Sequence, residues 1–455
     1  MRFAFVAPPL RGHLDPMSCL ADHLVQRGHD ATFIQQADAE HLVRSSKADF
    51  RPVGRQTHPP GHLAAITGRL AGSDGLFGLR GVLRDMAAAT DMLTRELPDA
   101  CRALAIDCIV SDQTEAAGGL VARQLGLPFV SVANALPLNG EPGVPPPFVG
   151  WQYDPSPWAR ERNLGAYRVS SWLMGPVQDV IAEHAARWKL GPLRTIEDCA
   201  SPMAQISQTV PGFDFPRRSL PACFHHVGPL RRNEPEEWSR PVGDRPLAFA
   251  SLGTLQGGRI GLFRRIAAAA ERLDLELVIA DGGRLDPEQA RGLPGRPTVR
   301  SFLPQRAVLA QARLAFLHGG LNTVMDALAA GVPMIVTPVA FEQAAIAARI
   351  VRAGAGISLN RRWTGTGGFV RAAERILTDE RYGVATQALR REVIDAGGVR
   401  LAADLVEQVA RTGLPAMRGA APPQFAAPGQ ADAPSMTETG DRRKSGSTQD
   451  RRGAT

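Results

Sequence analysis

The chain has 455 residues, which is long enough for two domains, and 44% of them are hydrophobic, an ordinary fraction for a globular protein. The formal net charge of +7 is modest, and no basic stripe with interleaved aromatic residues is visible, which argues against nucleic-acid binding. The five cysteines are scattered without a CxxC pair, so the sequence indicates neither a disulfide framework nor a zinc site and fits a reducing cytoplasm.

The N-terminal half has the pattern of an α/β domain. Residues 3–7 form an apolar strand pattern, 8–16 a loop, 17–27 an amphipathic helix and 31–35 the next strand. This start is typical of a Rossmann-like fold, but it lacks GxGxxG, which argues against a dinucleotide site. Further strands are predicted at 106–111 and 128–133, and further helices at 120–125 and 164–188.

A polar segment, 234–245, is the predicted linker to a second α/β set, whose first strands are predicted at 247–252, 275–280 and 298–302. From residue 416 onward Pro, Ala, Gly, Ser and charged residues dominate, and we predict a disordered tail, 416–455. The apolar run at the N-terminus is too short for a signal peptide, and no apolar run approaches the roughly 18 residues of a spanning helix.

The segment 302–343 carries the most specific pattern in the chain. An apolar strand at 314–317 is followed by a His and two Gly residues, a helix at 323–330, a Gly-Val-Pro stop and another strand at 334–336. Backbone N–H groups at a helix N-terminus favour an anion, and Gly lets a phosphate approach closely. His318 adds a donor from the side, and Asp326 can face a sugar hydroxyl. The segment therefore predicts a site for a nucleotide-sugar diphosphate.

This segment resembles the donor-binding signature of the UDP-sugar glycosyltransferases, which reads Trp-x-Pro-Gln, His-Cys-Gly-Trp-Asn-Ser, Glu, Gly-Val-Pro and Asp-Gln. Phe302 replaces the Trp that stacks on uracil, Asp326 replaces the Glu that binds ribose, and Glu342 replaces the Asp of the last pair. The resemblance implies donor contacts at these three residues and at the matching positions, which are Gln305, His318, Gly320, Asn322, Thr323 and Gln343.

The same resemblance implies the GT-B fold, an α/β architecture of two Rossmann-like domains that face each other across a cleft. The acceptor would bind the N-terminal domain (1–233), and the UDP-sugar would bind the C-terminal domain (246–415) after the linker 234–245. In relatives the last helix commonly crosses back to the first domain, and here we expect it near 386–408.

Two polar residues follow predicted strands of the N-terminal domain, at the sheet edge that faces ligands in open α/β sheets. The resemblance implies that His13 is the general base that deprotonates the acceptor hydroxyl and that Asp112 orients its imidazole. It also implies that Ser251 and Thr254 contact the diphosphate. The expected reaction is an inverting displacement that yields a β-glucoside, with no metal, because His318 and helix N-termini would neutralise the leaving diphosphate.

Further stretches resemble the bacterial zeaxanthin glucosyltransferases over about residues 1–412, although Asn134 stands where that family has Cys. The resemblance implies stepwise transfer of glucose from UDP-glucose to both terminal ring hydroxyls of zeaxanthin. Because a carotenoid is strongly apolar, we expect a cytoplasmic enzyme in peripheral contact with the inner membrane face, and residues 70–83, rich in Gly, Leu and Phe, are the hypothetical contact.

Other interpretations stay open at this point. A macrolide or polyketide glycosyltransferase would use the same base and donor motif on a different aglycone. A non-catalytic UDP-sugar-binding subunit would have no use for His13, and an epimerase of the same architecture would act on the donor alone. Single residues also have structural alternatives: Asn322, Thr323 and Asp112 as helix caps, Phe302 as core, and Asp326 and Glu342 as solvated helix residues.

Overall fold

A computed structural model of the protein describes residues 1–419 with the exception of residues 46, 73–75, 233, 235 and 241–242. Within these residues the chain forms two parallel β-sheets, each covered by helices, so the predicted α/β class is confirmed. Among the described residues, none of the helices combines the length and the apolarity that a bilayer span requires.

The first sheet has seven parallel strands within the described part of the chain, in the order β3-β2-β1-β4-β5-β6-β7. The strands are β1 (Arg2–Val6), β2 (Asp30–Gln36), β3 (Asp49–Val53), β4 (Cys108–Asp112), β5 (Phe129–Ala133), β6 (Ala204–Ser207) and β7 (Phe224–His226). The helices around them are α1 (Arg11–Gln26), α2 (His62–Gly72), α3 (Leu76–Ala103), α4 (Ala116–Leu125), α5 (Pro157–Leu173) and α6 (Gly175–Arg187), with short 3-10 helices at Ala37–Leu42 and Glu197–Cys199.

The second sheet has six parallel strands among the described residues, in the order β10-β9-β8-β11-β12-β13. These are β8 (Leu247–Ser251), β9 (Glu276–Ala280), β10 (Thr298–Arg300), β11 (Leu314–Leu317), β12 (Met334–Val336) and β13 (Gly356–Ser358). Its helices are α7 (Gly253–Gln256), α8 (Ile260–Arg272), α9 (Pro287–Arg291), α10 (Gln305–Leu309), α11 (Leu321–Ala330), α12 (Gln343–Arg352), α13 (Thr366–Thr378), α14 (Glu380–Asp395) and α15 (Gly398–Thr412).

Helices cover both faces of each sheet, so the central strands are continuous apolar runs rather than alternating ones, as in β4, β8 and β11, where every residue is buried. In each sheet the strand order reverses beside the first strand, between β1 and β4 and between β8 and β11. Ligands of open α/β sheets bind at such switch points, outside the carboxyl ends of the strands. The topology therefore selects the turns after β1, β4, β8 and β11 as the places for a site.

The first helix begins earlier than the sequence suggested. Residues 8–16 were predicted as a loop, which is wrong from Arg11 onward, because α1 starts there and carries Pro16 inside it. Proline has no N–H, so the carbonyl of Gly12 lacks its usual helical donor. That carbonyl accepts a hydrogen bond of 2.8 Å from Nδ2 of Asn322, at the N-terminus of α11 on the second sheet. An irregularity of α1 thus provides a contact between the two domains.

The two domains are interlocked at two further places. Helix α15 packs on the first sheet, where Val406 and Val409 share a core with Phe3 and Phe5. In the opposite direction, Phe213, which follows β6, is buried in the core of the second sheet. The crossing helix is therefore α15, whereas α14, which contains the first part of the predicted segment 386–408, packs on α11.

The first residues of the predicted tail belong to the folded body. Ala416 is 1% exposed, its N–H donates to the carbonyl of Met203 at 2.8 Å, and its own carbonyl accepts from Nε2 of His225 at 2.9 Å. The disorder predicted for 416–455 therefore does not begin at residue 416, and from residue 420 onward that prediction lies outside the described residues.

Candidate active site

The carboxyl ends of β1 and β4 bring His13 and Asp112 together. These strands are neighbours, with Val6 opposite Ser111, so the turn that leads into α1 lies beside the last residue of β4. Nδ1 of His13 donates to Oδ2 of Asp112 at 2.8 Å. The Asp112 side chain is fully buried, whereas the His13 side chain is 19% exposed, so a substrate can still reach the imidazole.

Asp112 accepts hydrogen bonds from more than the histidine. The backbone N–H and the hydroxyl of Thr114 donate to Oδ1 at 2.8 and 2.6 Å, and Nδ2 of Asn134 donates to Oδ2 at 2.7 Å. Burial alone would raise the pKa of Asp112, but the charge and hydrogen bond of His13 and the donors of Thr114 hold it below its ordinary value. Asp112 is therefore a carboxylate, and it fixes the proton of His13 on Nδ1.

Two carboxyl groups act on His13 against the effect of burial. Burial lowers the pKa of the imidazole, but the charge and hydrogen bond of Asp112 and the charge of Glu342 together raise it above its ordinary value. Glu342 belongs to the second domain, and burial raises its own pKa while the charge of His13 opposes this. Since Nδ1 carries the proton that points to Asp112, Nε2 is the nitrogen with a free lone pair.

On the second domain, His318 sits between two glycines at the switch point of the sheet. Its Nδ1 donates to the carbonyl of Ser251 at 3.4 Å, and an added Cβ at Gly253 or Gly320 would lie 2.8 or 2.6 Å from Nε2. Burial lowers the pKa of His318 to about 4, so the imidazole is neutral at neutral pH. Nε2 of His318, which is expected to donate to a diphosphate, therefore carries no proton in the neutral imidazole.

The N-terminus of α11 is open to an anion. Within the described residues no side chain caps it, and its first turn carries no acidic residue. Asn322 and Thr323, for which capping was the structural alternative, make other contacts: Asn322 bonds Gly12, and the hydroxyl of Thr323 donates to Oε1 of Gln305 at 3.3 Å. The first N–H groups of α11, beside His318, are thus available to a phosphate.

Asp326 is 7% exposed, which excludes the solvated alternative. Nε of Arg231 donates to its Oδ1 at 2.7 Å, and Nε2 of Gln305 donates to its Oδ2 at 2.6 Å. A carboxylate has about four lone-pair positions, so Asp326 can still accept from the hydroxyls of a ribose.

Of the remaining predicted donor residues, Phe302 is exposed and Gln343 is buried. Phe302 is 58% exposed, so it is not core, and the guanidinium carbon of Arg11 lies 5.1 Å from its ring centroid. Oε1 of Gln343 accepts from the N–H groups of Val339 and Ala340 at 2.8 and 3.0 Å, which shapes the turn before Glu342. Gln343 therefore has a structural contact that the sequence did not predict.

The side chains of the two predicted sites form one continuous hydrogen-bonded chain. From Asn134, which bonds Asp112, the chain runs to Gln208, whose Nε2 donates to Oδ1 of Asn134 at 3.1 Å. Nη1 of Arg231 donates to Oε1 of Gln208 at 3.1 Å, and Arg231 in turn binds Asp326. The network thereby connects His13 on the first domain with the predicted ribose contact on the second.

Sequence reasoning gave no role to Thr114, Asn134, Gln208 or Arg231. Asn134 and Gln208 lie at the carboxyl ends of β5 and β6, the two strands that follow β4 in the sheet, and this position is the signal that would have found them. Arg231 follows β7 without any comparable signal.

A cavity of about 480 Å³ opens where the two domains meet. The first domain contributes Gly12, His41 and Leu63, and the second contributes Thr254 and Arg284. Because Gly12 precedes His13 and Thr254 follows the turn after β8, the cavity borders both predicted sites. It is a candidate space for a substrate.

Comparison with known proteins identifies the family. The chain is 44% identical over 423 residues to the zeaxanthin glucosyltransferase of Pantoea ananas, covering 92% of this chain and 98% of that protein. It is 40% identical over 408 residues to the zeaxanthin glucosyltransferase of Pseudescherichia vulneris, covering 89% and 97%. Residues 264–405 match the family described as erythromycin biosynthesis protein CIII-like, C-terminal domain.

Among solved structures, the calicheamicin glycosyltransferase CalG4 superposes with a TM-score of 0.72 at 22% identity, over 90% of this chain and 98% of that one. The glycotransferase of kitacinnamycin gives a TM-score of 0.68, also at 22% identity, with the same coverage. These likenesses establish the GT-B fold that the sequence predicted. Together with the two relatives matched over nearly their whole length, they show that the chain is an enzyme that belongs to the zeaxanthin glucosyltransferase family of GT-B glycosyltransferases.

Proposed function

We propose that the protein transfers glucose from UDP-glucose to the terminal ring hydroxyls of zeaxanthin and gives first the mono- and then the di-β-glucoside. Two relatives at 44% and 40% identity bear the name zeaxanthin glucosyltransferase, and this supports the acceptor. The observation that carries the chemistry is the His13–Asp112 pair at 2.8 Å, on the first domain and within the field of Glu342 of the second.

In this proposal Nε2 of His13 removes the proton from the acceptor hydroxyl as its oxygen attacks the anomeric carbon. The new C–O bond forms on one face of the sugar while the bond to the UDP oxygen breaks on the other, so the configuration inverts. Asp112 stabilises the imidazolium that results, and the raised pKa of His13 agrees with a base that holds this proton well.

The proposed donor site uses the N-terminus of α11 and His318 for the diphosphate, with Ser251 and Thr254 from the turn after β8. Asp326 and Gln305 would contact the ribose, Phe302 the base, and Glu342 and Gln343 the sugar. No metal is proposed, since backbone N–H groups and a protonated His318 would meet the charge of the leaving group. For His318 this requires that the bound diphosphate raises the pKa of an imidazole whose pKa burial has lowered to about 4.

The proposed acceptor also indicates where in the cell the enzyme works. A carotenoid diol resides in a bilayer, so we propose a cytoplasmic enzyme that meets its substrate by peripheral contact with the membrane surface. The stretch 70–83, suggested as that contact, includes residues 73–75, which lie outside the described residues, and the side chains of 70–79 are likewise not described.

The test is incubation of the purified full chain with UDP-glucose and detergent-dispersed zeaxanthin, followed by mass analysis of the pigment. We expect successive addition of one and two hexoses. Release of UDP only with some other hydroxylated aglycone, such as a macrolide, would overturn the acceptor assignment. Binding of UDP-glucose without transfer to any acceptor would instead favour a binding subunit.

A further inference from the structure

The outer face of α5 carries a stripe of exposed apolar and aromatic side chains. Trp158, Val169 and Trp172 are 67%, 58% and 70% exposed. Their spacing places them on one side of the helix, together with Arg162 and Gly165 between them. Large apolar side chains aligned on one exposed face of a helix are unusual unless that face meets another phase or a partner.

The opposite face of α5 is already fixed to the domain. Nδ2 of Asn163 donates to the carbonyl of Pro142 at 3.0 Å, and the hydroxyl of Tyr167 donates to the carbonyl of Val144 at 3.1 Å. Ser156 caps the N-terminus of the helix, and its side chain accepts from the N–H of Ala159 at 3.2 Å. The outward stripe is therefore not needed to hold the helix in place.

The exposed indole of Trp158 is nevertheless held by a neighbour. The guanidinium carbon of Arg162 lies 4.4 Å from the ring centroid of Trp151 and 5.2 Å from that of Trp158. Such cation–π contacts restrict the indole while it is still exposed. A restricted side chain loses less conformational entropy when it inserts into a partner phase.

The charges of α5 indicate which phase this is. The helix carries Arg160, Arg162 and Arg168 against one acidic residue, Glu161. Tryptophan prefers the headgroup region of a bilayer, and arginines nearby are attracted to anionic lipids. Arg162 lies within the stripe, Arg168 and Glu161 flank it, and Arg160 lies on the far side of the helix. The face therefore carries a net positive charge that an anionic lipid surface would neutralise and a second copy of the same face would not.

We propose that the outer face of α5 docks on an anionic phospholipid surface, with Trp158, Val169 and Trp172 inserted among the headgroups. The proposal deepens the peripheral contact proposed above and assigns it to α5 rather than to residues 70–83. The segment 140–144, to which α5 is tied, continues from β5 and Asn134. Docking would thus hold the acceptor-binding domain against the membrane in which an apolar acceptor is dissolved.

The test is flotation of the full chain with vesicles of phosphatidylcholine that contain phosphatidylglycerol. The double variant Trp158→Ser/Trp172→Ser should bind these vesicles at least about tenfold more weakly than the wild type, because it loses the inserted area. Trp363→Ser is the matched control, since Trp363 is 85% exposed on the second domain and should be dispensable. Arg168→Gln, beside the stripe, should weaken binding to the anionic vesicles and leave the weaker binding to pure phosphatidylcholine unchanged.

Activity separates this proposal from the proposed function. The Trp158→Ser/Trp172→Ser variant should glucosylate detergent-dispersed zeaxanthin like the wild type and vesicle-embedded zeaxanthin more slowly. Equal vesicle binding by the wild type and this variant would overturn the docking surface, as would absence of binding by the wild type. A change in the sedimentation of the lipid-free variant would show that the face joins two copies and would also overturn it. Vesicle binding that depends on the two tryptophans, without any transfer to zeaxanthin, would support the docking surface and overturn the proposed acceptor.

Discussion

Two histidines line the cleft, and their surroundings shift their pKa values in opposite directions. Carboxyl groups raise the pKa of His13, whereas burial without a charged partner lowers the pKa of His318 to about 4. The raised pKa of His13 and the lowered pKa of His318 both fit the proposed roles once the substrates are bound. His13 would accept the proton of the acceptor hydroxyl, and a bound anion would stabilise the charged form of His318.

Binding of UDP should therefore take up a proton. At about pH 6, above the lowered pKa of His318, the free imidazole is neutral, and a diphosphate beside Nε2 would raise that pKa and protonate the ring. Titration calorimetry in two buffers of different ionisation enthalpy should report an uptake that approaches one proton. His318→Gln should abolish the uptake and His13→Ala should preserve it. Buffer-independent enthalpies for the wild type would contradict a charged His318 in the complex.

Asn134 offers a test of the network behind His13. Asn134→Ala removes a 2.7 Å donor to Asp112 and breaks the link to Gln208. We expect kcat to fall by about 10- to 100-fold, because a hydrogen bond to a charged group contributes roughly 1.5–3 kcal/mol, with little change in KM for UDP-glucose. Asn139→Ala is the matched control, because its amide bonds Gln205 instead. Equal kcat values for the two variants would show that the network has no part in the reaction.

At the scale of elements, the start of α11 packs closely on His318 because Gly320 has no side chain. A Cβ at Gly320 would lie 2.6 Å from Nε2 of His318, so either the ring or the helix start must shift. Gly320→Ala should weaken UDP binding at least about tenfold, which corresponds to a modest overpacking cost. Gly383→Ala, in the first turn of α14 with open space around the added methyl group, should leave UDP binding unchanged and raise stability slightly. Equal UDP affinity for the two variants would refute the close fit at Gly320.

The strands that position the site were predicted more accurately than the helix start that joins the two domains. The strands at 314–317 and 334–336 were found at their observed limits, because each is a short continuous apolar run that ends at a polar residue and has a Gly or Pro nearby. The start of α1 was missed because Pro16 suggested a loop, and only the partner across the cleft, Asn322, explains how the helix tolerates it.

The candidate site shows the same division. His13 and Asp112 could be paired from the sequence because the family resemblance implied their roles, and the structure shows why they meet: they stand at the carboxyl ends of the neighbouring strands β1 and β4. Arg231 could not, because its partner Asp326 is 95 residues away and no local pattern relates them. Capping by Asn322 and Thr323 was open in the sequence and was decided only by the contacts of their side chains.

At the scale of the whole molecule, the domains are joined by a buried ion pair. Nε of Arg349, on α12, donates to Oδ1 of Asp214 at 2.7 Å, and both side chains are 1% exposed. Burial would raise the pKa of Asp214, but Arg349 and Arg217 hold it below its ordinary value. The pair therefore stabilises the fold above the ordinary pKa of an aspartate, and this stability is lost as the pH falls through the lowered pKa.

Removal of one partner should be costly. Arg349→Met leaves the buried Asp214 carboxylate with Arg217 and the N–H of Phe215 as its partners, and we expect the free energy of unfolding to fall by about 3–5 kcal/mol. Arg381→Met is the matched control, since Arg381 is 83% exposed in its ion pair with Asp379 and its replacement should change the free energy of unfolding little. Urea denaturation of both variants at neutral pH measures the difference. Similar midpoints would mean that the domains do not depend on this contact.

The central claim is that His13 acts as the base of a glucosyl transfer to zeaxanthin. The most direct measurement is the rate of that transfer by His13→Ala, with UDP affinity determined on the same preparation. The account predicts that transfer falls at least about 100-fold while UDP binding is unchanged, because His13 lies on the acceptor side of the cleft and contributes through proton transfer. Near-normal turnover by His13→Ala would contradict it.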